Sequence, residues 1–114
     1  MYYIYMVRCA DSSLYTGIAA DLARRMREHT GKAPTAAKYT RSRQVVALES
    51  VWTAADRAAA SRLEYAIKKL PRPKKLELIA DPACMAELLP KLNAADYTHC
   101  PGMTLESCLK GETP

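Results

Sequence analysis

Tyrosine, arginine, histidine and glutamate side chains along the first two thirds of the sequence could act together on a phosphodiester bond. Hydrolysis of that bond needs a group that takes a proton from the attacking water, positive charge for the developing phosphorane, and help for the leaving oxygen. Phenols or an imidazole can manage the proton, a guanidinium can grip two phosphate oxygens, and a carboxylate can hold a hard divalent ion. The candidates are Tyr5, Tyr15, Arg25, His29 and Glu64.

Each candidate also has a purely structural interpretation. The tyrosines could pack in a core with the hydroxyl at its edge, and His29 could be a partly buried polar residue. By helical periodicity alone, Arg25 counts as a solvated surface arginine, and Glu64 as the i,i+4 salt-bridge partner of Lys68. The spacing alone favours the structural interpretation for Arg25 and Glu64, and it favours neither interpretation for His29.

The elements that must position these side chains begin with a β-hairpin. Two β-rich runs, residues 2–8 and 14–17, flank a short polar connection. Alternation predicts that one face of the first run carries Tyr3, Tyr5 and Val7, and the other Ile4 and Met6. A helix over residues 21–30 follows, with Asp21 as its N-cap and an inward stripe of Leu22, Met26 and His29 with Arg25 beside it.

The later elements predict an α+β fold. Residues 45–52 are typical of a third strand, and Thr53-x-x-Asp56 resembles a capping box that opens a helix over 54–70. Its expected buried stripe is Ala55, Ala59, Leu63, Ala66, Ile67 and Leu70. Short helices over 74–80 and 83–89 follow, and a loosely ordered chain from Pro90 onward. The prediction is a small three-stranded antiparallel sheet flanked by helices, in the order β-β-α-β-α-α.

Composition and charge favour one folded domain with a polyanionic partner. Hydrophobic residues at 49% and charged residues at 25% of 114 residues are ordinary for a globular protein with one core. We place the domain at residues 1–80 and an acidic extension at 81–114. The first part holds 15 Lys+Arg against 7 Asp+Glu, and the second 2 against 5. The basic body suits phosphate backbone, while the extension could be inert or lie over the basic surface.

Two basic runs are the candidate nucleic-acid contacts, although solvated surface segments are the alternative. The first mixes cations with an aromatic ring, which suits backbone contacts and base stacking. The candidates are Lys38, Tyr39, Arg41, Arg43, Lys68 and Lys69. No apolar run approaches the roughly 20 residues that a membrane helix needs, and no signal-peptide pattern is visible, so the cytoplasm is expected. The four cysteines match no paired zinc spacing and are expected to be reduced.

Several motifs together resemble one known family. They are Tyr3-Ile4-Tyr5, Tyr15-Thr16-Gly17, Asp21-Leu22-x-Arg24-Arg25-x-x-x-His29, Lys38-Tyr39-Thr40-Arg41 and Glu64-x-x-Ile67-Lys68-Lys69-Leu70. The set is similar to the GIY-YIG nucleases, and most of all to their small stand-alone bacterial members, over roughly residues 1–80. Tyr3 replaces the first glycine of the family name and Thr16 its second isoleucine.

The resemblance implies an α+β fold with an active site on one sheet face, and hydrolysis of DNA phosphodiesters with a single Mg²⁺ or Mn²⁺. It assigns the transition-state charge to Arg25 and the metal to Glu64, and leaves water and protons to Tyr5, Tyr15 and His29. Some branches carry a lysine where Ile18 stands here, so the proton acceptor stays open between the tyrosines and His29.

The substrate form and a rival function remain to be considered. No separate DNA-recognition module is visible, which favours single-stranded, flapped or branched DNA. The family resemblance implies a role in DNA processing or repair. The alternative is a non-catalytic nucleic-acid-binding or protein-interaction module on the same fold.

Overall fold

The structure is a computed structural model that describes residues 1–31 and 43–110. The strands are β1 (Tyr2–Cys9), β2 (Leu14–Ala19), β3 (Val45–Ala54) and β4 (Tyr97–His99). The helices are α1 (Leu22–Gly31), α2 (Arg57–Lys68), α3 (Arg72–Ala80), α4 (Met85–Leu88) and α5 (Leu105–Leu109). Short 3₁₀ turns occupy Pro82–Cys84 and Ala94–Asp96.

The strands form one antiparallel sheet in the order β2-β1-β3-β4. The predicted hairpin is present, and its register sets Tyr5 opposite Gly17 on one side and opposite Val51 on the other. The α+β prediction is therefore confirmed, but the described sheet has four strands where three were expected. The fourth strand is three residues long, which is too short to show an alternating pattern.

Within the described part of the C-terminal extension, the chain after Pro90 forms β4 and α5, which corrects the expectation of a loose chain there. Tyr97 is buried and donates its hydroxyl to the Ala59 carbonyl at 2.7 Å, which ties β4 to α2. A capping box between Thr104 and Ser107 begins α5, and Cys108 of that helix is buried in the core. The division of the chain after residue 80 stays a prediction.

The sheet separates two apolar cores, as the alternation in β1 predicts. Ile4 and Met6 face a core that is closed by α2, α3 and α4. Tyr5 and Val7 face the other, which includes the inward stripe of α1 and Cys108 of α5. Successive side chains of β1 therefore face opposite layers, one towards α1 and the next towards α2.

The start of α2 was predicted three residues too early. Thr53 and Ala54 continue β3, because they pair with Tyr3 and Tyr2 of β1. Asp56 is the N-cap instead, and its carboxylate accepts the Ala59 N–H at 2.8 Å. As a result Ala55 is exposed, and the buried stripe gains Ala60.

The shorter helices also differ from prediction at their ends. Helix α3 begins at Arg72 rather than Lys74, because Pro73 is tolerated in a first turn, where its missing N–H has no helical partner. The predicted helix over 83–89 is a 3₁₀ turn followed by α4. Cys9, Cys84, Cys100 and Cys108 are free thiols. Within residues 1–31 and 43–110, no helix is long and apolar enough to span a membrane.

Candidate active site

The two hallmark tyrosines lie side by side on the hairpin. Their ring centroids are 6.4 Å apart, with Tyr5 on β1 and Tyr15 on the edge strand β2. Tyr5 is 1% exposed, whereas Tyr15 is partly exposed. Of the two phenols, Tyr15 is therefore the one that a substrate or water can approach.

Gly17 makes room for Tyr5. It faces Tyr5 across the hairpin, and a Cβ at Gly17 would lie 2.5 Å from Tyr5 Oη and 2.7 Å from Tyr5 Cζ. Real side chains do not tolerate such separations, so the phenol occupies the space that a side chain at position 17 would take. The pairing of Tyr5 with Gly17 could have been read from the hairpin register in the sequence.

His29 completes a buried hydrogen bond with Tyr5. Helix α1 brings its ring under the hairpin, and Nε2 lies 2.7 Å from Tyr5 Oη. His29 is fully buried, and burial together with the positive charge of Arg25 lowers its pKa to about 4. The imidazole is thus neutral at pH 7. Burial raises the pKa of the Tyr5 phenol well above its usual range, so Tyr5 keeps its proton and fits as the donor to Nε2.

Arg25 lies on the same side of α1 as the Tyr5–His29 pair. Its Nη1 donates to Glu28 Oε1 at 3.0 Å, and its positive charge acts on the Tyr5 phenol. Burial opposes the charge of Arg25, but interactions with the Tyr5 phenol and the Glu28 carboxylate outweigh it and raise the pKa of Arg25. The side chain is 23% exposed. Glu28, three residues after Arg25, was missed in the sequence although i,i+3 pairs are common on helices.

Glu64 reaches the same place from α2. Its carboxylate is 3.5 Å from Lys68 Nζ, and Lys68 Nζ lies 5.5 Å from the centre of the Tyr15 ring. The negative charge of Glu64 acts on the Tyr5 phenol and contributes to its raised pKa. The structure therefore brings together all five candidate residues, from two strands and two helices, around the edge strand β2.

The donor groups near Glu64 show whether a divalent ion could bind at the predicted metal site. Among the residues that the structure describes, no three His, Cys, Asp or Glu side chains cluster as a metal cage. Glu64 is 22% exposed and already attracts the ammonium of Lys68. A partly exposed ion pair of this kind is weak enough to exchange. One carboxylate with waters and substrate oxygens is an ordinary Mg²⁺ site, so Glu64 fits that role.

The candidate nucleic-acid contacts are only partly described. Lys38, Tyr39 and Arg41 lie outside the described residues. Arg43 pairs with Asp11 of the hairpin turn at 3.1 Å. Lys68 pairs with Glu64 in the candidate site. Lys69 Nζ lies 4.4 Å from the centre of the Tyr65 ring. Tyr65 follows Glu64 directly and is 60% exposed, and the sequence did not single it out.

Comparisons with known proteins agree with the motifs. A family profile described as the GIY-YIG catalytic domain matches residues 1–77. The UPF0213 protein DP2720 of Desulfotalea psychrophila is 47% identical over 78 residues, which cover 68% of this chain and 70% of that protein. The UPF0213 protein FN1575 of Fusobacterium nucleatum is 44% identical over 81 residues, or 71% and 79% of the two chains.

One solved structure is also similar. It is the solution NMR structure of the UPF0213 protein BH0048 from Bacillus halodurans, which is 36% identical in sequence. The match covers 82% of this chain and 98% of that chain, with a TM-score of 0.46.

Proposed function

Because the chain belongs to the GIY-YIG catalytic domain family, we propose that it is a metal-dependent endonuclease that hydrolyses DNA phosphodiesters. The observation that carries the proposal is the convergence of Tyr5, Tyr15, Arg25, His29 and Glu64 on one edge of the sheet. An arginine, a histidine and a carboxylate around two phenols are groups that phosphodiester cleavage can use for charge stabilisation, proton handling and metal binding.

Arg25 supplies the charge for the transition state. Its guanidinium is permanently positive, and the ion pair with Glu28 orients it before substrate arrives. A preoriented charge needs no reorganisation when the phosphorane develops, which is the main advantage of an electrostatic catalyst over water.

Tyr15 orients the attacking water, and Tyr5 and His29 hold the site in place. Tyr15 is the accessible phenol, whereas Tyr5 and His29 are buried. An imidazole whose pKa is about 4 is a weak base, so we give His29 a positioning role instead of that of the proton acceptor. The Tyr5 hydroxyl donates to His29, and this hydrogen bond fixes α1, which also carries Arg25, relative to the hairpin.

Glu64 would hold the divalent ion, Mg²⁺ or Mn²⁺, in place of the ammonium of Lys68. The bound ion supplies Lewis-acid charge to phosphate oxygens. Lys68, once released from Glu64, remains next to Tyr15 and can contact the DNA backbone.

Single-stranded or branched DNA is the substrate form that the surface supports best. Tyr65 of α2 and Lys69 at its C-cap are four residues apart and lie next to each other on the helix surface. Glu64 and Lys68 form a second pair with the same spacing beside them. An exposed phenol ring with an ammonium over it offers a base a stacking surface and a phosphate a cation. Bases are available for stacking in single strands, flaps and junctions but not inside a duplex.

The experiment is cleavage of a labelled single-stranded oligonucleotide beside its duplex, with Mg²⁺ and with EDTA. We expect cutting with Mg²⁺ only, and at least several-fold faster on the single strand. Faster cutting of the duplex would overturn the proposed substrate form. Absence of cutting on both, together with a mobility shift that weakens steeply with salt, would instead indicate the non-catalytic nucleic-acid-binding module.

A further inference from the structure

An open groove of about 420 Å³ lies next to the candidate site, where β2 ends between the first turns of α1 and α2. Tyr2, Ile18 and Ala19 line it with apolar surface. Three arginines line it as well, namely Arg24 and Arg25 from α1 and Arg57 from α2. The groove thus combines an apolar surface with guanidinium groups from two helices.

The acidic residues of the groove are already engaged by α1. Glu28 pairs with Arg25 at 3.0 Å and with Arg24 at 3.8 Å. Asp21 accepts the backbone N–H of Arg24 as the N-cap of α1. On the α2 side, Arg57 is exposed, and within residues 1–31 and 43–110 no carboxylate forms an ion pair with it. Arg57 therefore differs from Arg24 and Arg25, which share Glu28, in that no carboxylate of the described residues competes with an external anion for it.

The groove shares Arg25 with the candidate active site. When the reacting phosphate of a DNA strand contacts Arg25, the neighbouring nucleotide lies on one of the two sides of Arg25. On one side lie Tyr15 and Lys68, towards the start of β2, and on the other lies the groove at the end of β2. A neighbouring nucleotide also matches the groove chemically, because its phosphate is anionic and its sugar and base can pack on apolar surface.

We propose that this groove binds the nucleotide next to the reacting phosphodiester, with its phosphate at Arg57 and Arg24 and its sugar or base over Tyr2 and Ile18. The proposal rests on the proposed nuclease function, because that function places the reacting phosphodiester at Arg25. It makes Arg57 a substrate-binding residue. The ligand is a phosphodiester of a nucleic acid strand, held beside the catalytic arginine.

Binding without cleavage gives the first test. The affinity of a fluorescent single-stranded oligonucleotide is measured in EDTA over a range of salt concentrations for wild type, Arg57→Ala and Arg27→Ala. Arg27 is the matched control, since it is exposed on α1 and does not line the groove. We expect Arg57→Ala to bind about 5- to 10-fold more weakly and to lower the salt slope by about 0.7, the value for one lost phosphate contact on a single strand. Arg27→Ala should stay within about twofold of wild type.

Hydrolysis of a small diester gives the second test. Bis(p-nitrophenyl) phosphate has the reacting phosphodiester but no neighbouring phosphate, so Arg57→Ala should hydrolyse it at the wild-type rate. The same variant should lose kcat/KM on the oligonucleotide by the factor found in binding, with kcat unchanged. A loss on the small diester would overturn the proposal, because Arg57 would then act at the reacting phosphate.

The two tests separate the groove from the nuclease function. If wild type hydrolyses neither substrate, the nuclease function fails, while the salt slope still decides whether Arg57 contacts a phosphate. If Arg57→Ala and Arg27→Ala have the same affinity and the same salt slope, the groove does not bind nucleic acid, whatever the enzyme does.

Discussion

Replacing Arg25 by alanine is expected to lower the rate of DNA cleavage by about a thousandfold or more, the range found when a transition-state arginine or oxyanion donor is removed. The expected loss is large because the ion pair with Glu28 orients Arg25 before substrate binds. Arg25→Lys should also lose most of the activity, because an ammonium keeps the charge but not the two-pronged grip on phosphate oxygens. Single-turnover cleavage with saturating protein measures the chemical step directly.

The fold should survive this substitution. Arg25 is partly exposed, and Glu28 keeps Arg24 as a neighbour at 3.8 Å. Thermal unfolding of Arg25→Ala should therefore stay close to that of wild type. Arg27→Ala, which removes an exposed arginine from the same helix, is the matched control and should cut at nearly the wild-type rate. Cleavage by Arg25→Ala within about threefold of wild type would contradict the role given to Arg25.

Replacing Gly17 by alanine should damage both stability and activity. The added Cβ would lie 2.5 Å from Tyr5 Oη, 2.7 Å from Tyr5 Cζ and 3.1 Å from Tyr15 Cε2. Tyr5 is buried and cannot swing into solvent, so the hairpin or the phenol must shift. Forcing extra volume into a packed interior costs about 1–3 kcal/mol of the free energy of unfolding. The shift also moves the hydroxyl that contacts Arg25 and His29, so we expect cleavage to fall by more than tenfold.

Gly31→Ala is the control for a glycine that has space. Among the residues that the structure describes, a Cβ at Gly31 meets nothing within 4 Å, and the residue ends α1. Alanine there should be neutral or stabilising by up to about 1 kcal/mol, since alanine is the better helix former. Chemical denaturation of both variants measures the difference. Equal stability of Gly17→Ala and wild type, with full activity, would show that the Tyr5 phenol does not need the space at Gly17.

Local patterns in the sequence predicted much of the site. Alternation in β1 placed Tyr5 and Ile4 on opposite faces, and helical spacing placed His29 on the inward stripe of α1. Both follow from the fixed periods of strand and helix, 2 and 3.6 residues, so they can be read without knowledge of the tertiary fold. The Tyr5–His29 hydrogen bond results from the packing of these two periodic elements.

Features that depend on tertiary contacts could not be predicted in this way. Strand β4 exists because three residues near the C-terminus pair with β3 and because the Tyr97 hydroxyl bonds to α2. The start of α2 is set by pairing of Thr53 and Ala54 with β1, which overrides a local capping pattern. The groove with Arg57 arises from the relative placement of α1 and α2, and no local sequence pattern predicts that placement.

The central claim, a nuclease that uses the Glu64 carboxylate for its metal, is tested most directly by cleavage of one labelled single-stranded oligonucleotide by wild type and by Glu64→Gln. The glutamine keeps the size of the side chain and removes its charge, so the packing of α2 should be preserved. Each protein is assayed with Mg²⁺, with Mn²⁺ and with EDTA. We predict that wild type cuts with either metal and not with EDTA, and that Glu64→Gln is slower by at least a hundredfold with both metals. Cleavage that persists in EDTA, or equal rates for the two proteins, would contradict the claim.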